Sequence, residues 1–230
     1  MSRSNFIILS HARSGSHMIA SLLDSHPEIS CGAEVFNKLD ANECNLLYQK
    51  YQNSEVNISK VSGFKIPYQF WNSEKNDIWS KTRNNPEFKV IHWRRSNLIR
   101  AYVSREIAAK TKVWQGRGKQ PDLIDKKVSI DHKQCLRWIK NILQLQKISE
   151  FEFRNHISYT VTYENFLLDK NQIKEILRFL DVDTNHELTT LVKRQNPEPL
   201  SQLISNYTEF EKSIIETPWA VFLDNDMSND

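Results

Sequence analysis

A chain of 230 residues with 39% hydrophobic and 26% charged residues is long enough for one substantial core, and its composition excludes a disordered or membrane-spanning chain. A net charge of +3 is too small for the dense basic face with which nucleic-acid binders displace counterions, so nucleic acid is not an expected partner. No apolar run reaches transmembrane length and the first one, Phe6-Ile7-Ile8-Leu9, is too short for a secretory segment, so the cytoplasm is the expected compartment.

In chain order, Phe6 to Leu9 reads as a buried strand, and Ile19, Leu22 and Leu23 then repeat at helical spacing. Between them lies Ser10-His11-Ala12-Arg13-Ser14-Gly15-Ser16-His17, a short polar loop. A helix entered through small residues offers unpaired N–H groups and the positive end of its dipole, so strand, loop and helix together form a candidate anion site with Arg13 as a fixed charge. Further strands are expected at Gly63 to Ile66, Phe88 to Trp93 and Ile157 to Thr162. Helices are expected over Ala41 to Tyr51, Asn97 to Ala109, Asp131 to Glu150 with Asp131 as its cap, and Asn171 to Leu180. Strands alternating with helices predict an α/β fold whose mostly parallel central sheet is covered on both faces, in a single domain over residues 1–230. Thr111 to Lys127, with Gly116, Gly118 and Pro121, reads as a long loop, and residues 224–230 as a fraying acidic tail. Cys31, Cys44 and Cys135 are odd in number and widely spaced, which suits buried apolar roles in a reducing compartment.

The strand ending at Trp93 is followed by Arg94-Arg95-Ser96-Asn97, and Ser104 stands nine residues beyond Arg95 on the expected helix. An arginine at a strand end and a serine on the next helix form a second candidate phosphate anchor. Arg-Ser-Gly-Ser after the first strand, then Arg95 and Ser104, resembles the sulfotransferases that use 3′-phosphoadenosine 5′-phosphosulfate (PAPS). His26-Pro27-Glu28-Ile29 with Gly32-Ala33-Glu34-Val35-Phe36, and Val161-Thr162-Tyr163-Glu164-Asn165-Phe166 with Phe179-Leu180-Asp181-Val182, resemble that family's later blocks, so the likeness touches most of the chain. Asn97 and Arg100 are more similar to a bacterial carbohydrate or small-molecule branch.

The resemblance implies a P-loop-like three-layer sandwich and transfer of a sulfuryl group to a hydroxyl or amine of a carbohydrate or small-molecule acceptor. It assigns Ala12, Arg13, Ser14, Gly15, Ser16 and His17 to the 5′-phosphosulfate, Arg95 and Ser104 to the 3′-phosphate, and Tyr163 to the nucleotide. Lys193, in Lys193-Arg194-Gln195-Asn196 before Pro197, matches a late cofactor-facing loop and equally a basic helix end. Ala12 stands where the family pattern has proline, and His17 where it has a hydroxyl residue. His17 is therefore a candidate phosphate donor, base or helix cap.

In-line sulfuryl transfer needs charge stabilisation on the leaving phosphate, supplied here by loop N–H groups and Arg13, and a base for the acceptor proton. Glu34, placed after the Gly32 turn where the chain can return to the loop, is the candidate base, with His17 second. No metal is expected and no metal-site spacing occurs. The rival readings are a P-loop-like phosphotransferase and a nucleotide-binding module without transfer activity. The first lacks G-x-x-x-x-G-K-[ST], and five glycines with no G-x-G-x-x-G argue against a dinucleotide oxidoreductase.

Overall fold

The computed structural model describes residues 4–37, 39–53, 59–73, 77–114, 121–169 and 171–224. In chain order the elements are β1 (Ser4–Ser10), α1 (Ser16–Asp24), β2 (Ile29–Gly32), α2 (Ala41–Gln52), β3 (Val61–Pro67), α3 (Ile78–Arg83), β4 (Lys89–Arg94), α4 (Leu98–Thr111), α5 (Leu123–Lys126), α6 (His132–Glu152), β5 (Ser158–Thr162), α7 (Tyr163–Leu168), α8 (Asn171–Phe179), α9 (Leu200–Leu203), α10 (Tyr207–Ile214) and α11 (Val221–Asp224). They fall into two compact units, one of Met1–Ser96 with Leu145–Leu191, the other of Asn97–Gln144 with Val192–Asp230.

The first unit is built on five parallel strands in the order β2-β3-β1-β4-β5. β1 lies at the centre, and Phe6 to Ser10 are buried without a polar interruption before Ser10, as a strand covered on both faces requires. Its alternate residues feed two cores. Phe6 and Ile8 pack with Ile91, Trp93 and Val161 against Ile19 and Leu23 of α1 and Ile176 and Leu177 of α8. Ile7 and Leu9 pack with Phe64, Ile66 and Val90 against Tyr48 and Tyr51 of α2, Trp79 of α3 and Phe153. The result is the expected helix–sheet–helix sandwich. Because β1 has β3 on one side and β4 on the other, the loop after β1 stands at the point where strand order reverses, outside the carboxyl ends, where open α/β sheets bind ligands.

Helix starts follow their capping residues. Asp40 accepts from the Asn42 and Glu43 amides while the Glu43 carboxylate accepts from the Asp40 amide, a complete capping box for α2. Asp131 accepts from the Lys133 and Gln134 amides, as its expected role for α6 demands. All three cysteines are buried and free.

The second unit is helical. Leu98, Tyr102, Val103 and Ile107 of α4 pack with Cys135, Ile139 and Ile142 of α6 and Phe210 and Ile214 of α10. The expected 111–127 loop is entered by α4, which runs to Thr111, and contains α5 near its end. Residues 115–120 of that loop lie outside the described residues, as do residues 225–230 of the expected tail, whereas Asp224 closes α11. Among the described residues no helix is long and apolar enough to cross a membrane.

Candidate active site

The loop joining β1 to α1 is tied down through its carbonyl groups. The Ser14 hydroxyl donates to the His11 carbonyl at 2.8 Å and His11 Nδ1–H to the Ala12 carbonyl at 2.8 Å. Arg95 Nη1–H reaches the Arg13 carbonyl at 2.8 Å, and Trp93 Nε1–H the Ser14 carbonyl at 2.9 Å. Four consecutive carbonyls thus point at protein donors. In a trans peptide the N–H opposes its carbonyl, so the amides of Ala12 to Gly15 are turned the other way, in the manner of an anion-binding loop. Two left-handed residues make this possible, Arg13 at φ 65° and Gly15 at φ 84°. Gly15 is also the cap of α1, whose first turn has no side-chain cap and no acidic residue.

Gly15 is required on a second count. A Cβ there would lie 2.5 Å from the Tyr163 ring, which covers the loop. Arg13 and Arg95 bring two positive charges to the loop. Burial and the Arg95 charge push the Arg13 guanidinium down to about 10, so it remains a cation at neutral pH in a strongly positive locale. Arg95 lies over the Tyr163 ring at 4.9 Å and pairs with Glu164 at 3.7 Å. Glu164 in turn accepts the Ser96 amide at 2.8 Å.

Glu34, just beyond β2, is the hub of a charged cluster. Its Oε1 accepts from His17 Nε2 at 3.0 Å and from Lys65 Nζ at 2.5 Å, and its Oε2 accepts from Asn37 Nδ2 at 2.5 Å. Lys65 is inside β3 with a side chain only 2% exposed, while Glu34 and His17 are about a third exposed. The hydrogen bond from His17, followed by the charge of Lys65, overcomes burial and holds the Glu34 carboxyl down at about 2. Burial lowers Lys65, and Glu34 opposes the shift. Burial likewise lowers His11 to about 4, leaving it neutral beneath the loop.

Of the residues singled out from the sequence, Ala12 to His17, Glu34, Arg95 and Tyr163 belong to the first unit, which brings His17 to Glu34 and Arg95 and Tyr163 to the loop. Ser104 and Lys193 belong to the second. There the buried Ser104 hydroxyl accepts from Asn196 Nδ2 at 3.0 Å, and Arg100, buried on α4, donates to the carbonyls of Asn196 and Glu198. Lys193 is exposed. Lys65, Trp93, Asn37 and Glu164 were not singled out. For Lys65 the available signal was a lone lysine inside the apolar run Val61 to Pro67. No cluster of three or more metal-ligating side chains occurs among the described residues.

No family model matches the chain. It is 23% identical over 240 residues to Nodulation protein H of Rhizobium tropici, covering 96% of this chain and 93% of that protein. It is 23% identical over 242 residues to Nodulation protein H of Rhizobium meliloti (strain 1021), covering 98% and 96%. Among solved structures it is similar to the crystal structure of a sulfotransferase from Alicyclobacillus acidocaldarius, with a TM-score of 0.53 and 16% identity over 100% of this chain and 98% of that one.

Proposed function

We infer that the protein, which shares its fold with a sulfotransferase, is itself a PAPS-dependent sulfotransferase. One observation carries the reading: a carboxylate lies 3.0 Å from a side chain of the phosphate loop itself, with a buried lysine behind it. Anion binding alone does not call for such a carboxylate, and a nucleoside triphosphate site does not call for Arg13 in place of the P-loop lysine, so neither rival reading is favoured.

In the reaction the acceptor oxygen attacks sulfur, the bond from sulfur to the bridging oxygen breaks, and its electron pair leaves on the 5′-phosphate. The loop amides and Arg13 stabilise that charge, and Glu34 takes the acceptor proton. His17 donates from Nε2 to Glu34 at 3.0 Å, which ties the loop's last residue to the base. Lys65 and His17 keep Glu34 ionised but weakly basic. The anionic donor competes for the Lys65 charge and the His17 hydrogen bond, which returns proton affinity to the carboxylate when transfer begins. Arg95 and Tyr163 serve the nucleotide side of the same unit. For Ser104 and Lys193 the family resemblance alone supports a cofactor role. The acceptor is a hydroxylated or amino carbohydrate or small molecule, and the reaction runs in the cytoplasm.

The test is sulfur-labelled PAPS offered with a panel of sugars, phenols and amines. Labelled product is expected. Glu34→Gln should lower turnover by about 10²–10⁴-fold while the affinity for 3′-phosphoadenosine 5′-phosphate (PAP) changes only a few-fold. Calorimetric selectivity for ATP over PAP would refute the sulfotransferase reading, and unchanged turnover in the variant would remove Glu34 as base.

A further inference from the structure

Arginine side chains lose much rotamer entropy when ordered, so one that must read a single phosphate gains by being held before the ligand arrives. Arg95 is held from three directions. Its Nη1 edge donates to the Arg13 carbonyl at 2.8 Å, its face lies on the Tyr163 ring at 4.9 Å, and its Nε side meets Glu164 Oε1 at 3.7 Å. Two of these contacts are with neutral groups, a carbonyl and a ring. The third contact is charged and is itself anchored.

Glu164 can act as an anchor because its other oxygen is occupied by the backbone. Oε2 accepts the Ser96 amide at 2.8 Å, the peptide that directly follows Arg95. One carboxylate therefore fixes both the turn that ends β4 and the side chain that leaves it. Glu164 lies in the first turn of α7, where Thr162 accepts the Asn165 amide, so its own start point is set by a cap. With only 22% of its side chain exposed, it competes little with water for Arg95.

We infer that Glu164 is a positioning residue that sets the Arg95 guanidinium for the 3′-phosphate and thereby makes the protein select nucleotides phosphorylated at that position. The inference rests on the reading of Arg95 as a 3′-phosphate ligand, and Glu164 acts in it through Arg95.

Affinities for PAP and for adenosine 5′-phosphate isolate the 3′-phosphate contribution as a ratio. The unmodified protein should bind PAP more tightly. Glu164→Gln keeps an acceptor for the Ser96 amide and removes the charge facing Arg95, so the ratio should fall about tenfold while adenosine 5′-phosphate affinity stays within about twofold. Glu164→Asp should restore part of the ratio, and Glu164→Gln should add nothing in an Arg95→Ala background. An equal loss for both ligands would mean a purely structural residue and overturn the inference, as would an unchanged or increased ratio. If the unmodified protein does not distinguish the two ligands, the reading of Arg95 falls and takes this inference with it. If it does distinguish them and Glu164→Gln leaves the ratio intact, only the role of Glu164 falls.

Discussion

Replacing Glu34 by glutamine perturbs the fold as well as the chemistry, and the two effects can be separated. The Lys65 side chain is 2% exposed and its ammonium donates to Glu34 Oε1 at 2.5 Å. Glu34→Gln leaves that charge facing a neutral amide. Breaking a buried pair from one side costs about 3–5 kcal/mol; Glu34 is a third exposed, so water relieves part of the cost and about 2–3 kcal/mol is expected. For a chain of this length 1 kcal/mol moves Tm by about 2–4 °C, so thermal melts should show a drop on the order of 4–12 °C. Adding Lys65→Met removes the stranded charge, and the double variant should recover at least half of the loss. The acid limb reports the same pair. Because the folded Glu34 carboxyl is held at about 2 against an ordinary 4.5, its contribution is complete above about 4.5 and drains as pH falls towards 2. Glu34→Gln should therefore flatten unfolding free energy against pH in that window. A single variant that melts with the unmodified protein, or a double variant less stable than the single, would refute the pairing of Lys65 with Glu34.

Gly15→Ala should weaken PAP binding at least about tenfold and cost about 2 kcal/mol, because a methyl group meets the Tyr163 ring at 2.5 Å on a backbone with φ 84°; calorimetry with unchanged affinity would disprove the loop geometry. Burial holds His92 down at about 4 against its ordinary 6.5, so the unfolded chain binds the proton more readily. Stability is then complete above about 6.5 and falls by about 3 kcal/mol towards pH 4; denaturant midpoints at a series of pH values should show a shallower slope in His92→Gln. In the second unit, Lys126 is buried and donates to the Gln195 carbonyl at 2.9 Å and to Glu198 at 2.6 Å. Lys126→Ala should cost about 3 kcal/mol, and Lys126→Met with Glu198→Gln measurably less, as read from the same denaturant midpoints.

What the sequence disclosed depended on length and periodicity. β1, β3 and β4 each carry an apolar run, β5 alternates Tyr159 and Val161 with serine and threonine, and α2, α4, α6 and α8 are long enough to repeat an apolar stripe. β2 escaped because Ile29–Gly32 is four residues with two apolar members, and its strand character comes from pairing with β3. α3, α7, α9 and α11 are of four to six residues, too short to show a helical period. The junction at Ala12 to His17 was legible because small residues and an arginine stand between an apolar run and a helical repeat. Lys65 was not, since a lysine in a strand ordinarily faces water. Its partner is 31 residues earlier in the chain, and only the register of β2 on β3, with Gly32 opposite Phe64, brings Glu34 over it.

The same logic explains why the loop's geometry, unlike its identity, could not be read from residues 11 to 17. Two of the four carbonyl tethers, His11 to Ala12 and Ser14 to His11, are local, and they alone would permit several loop conformations. The other two come from Trp93 and Arg95, and the ring that makes Gly15 obligatory comes from Tyr163. Trp93 and Arg95 reach the loop because β4 lies directly beside β1 with His92 opposite Leu9, so the residues after His92 run out alongside the residues after Leu9. Tyr163 reaches it because β5 lies beside β4 with Thr162 opposite Arg94, so the first residue after β5 comes up beside Arg95. Strand order and register therefore convert three separate sequence blocks into one loop with four tethered carbonyls. A one-residue slip of β4 would place Arg94 rather than Arg95 beside the loop and, because strand side chains alternate, turn Trp93 to the opposite face of the sheet.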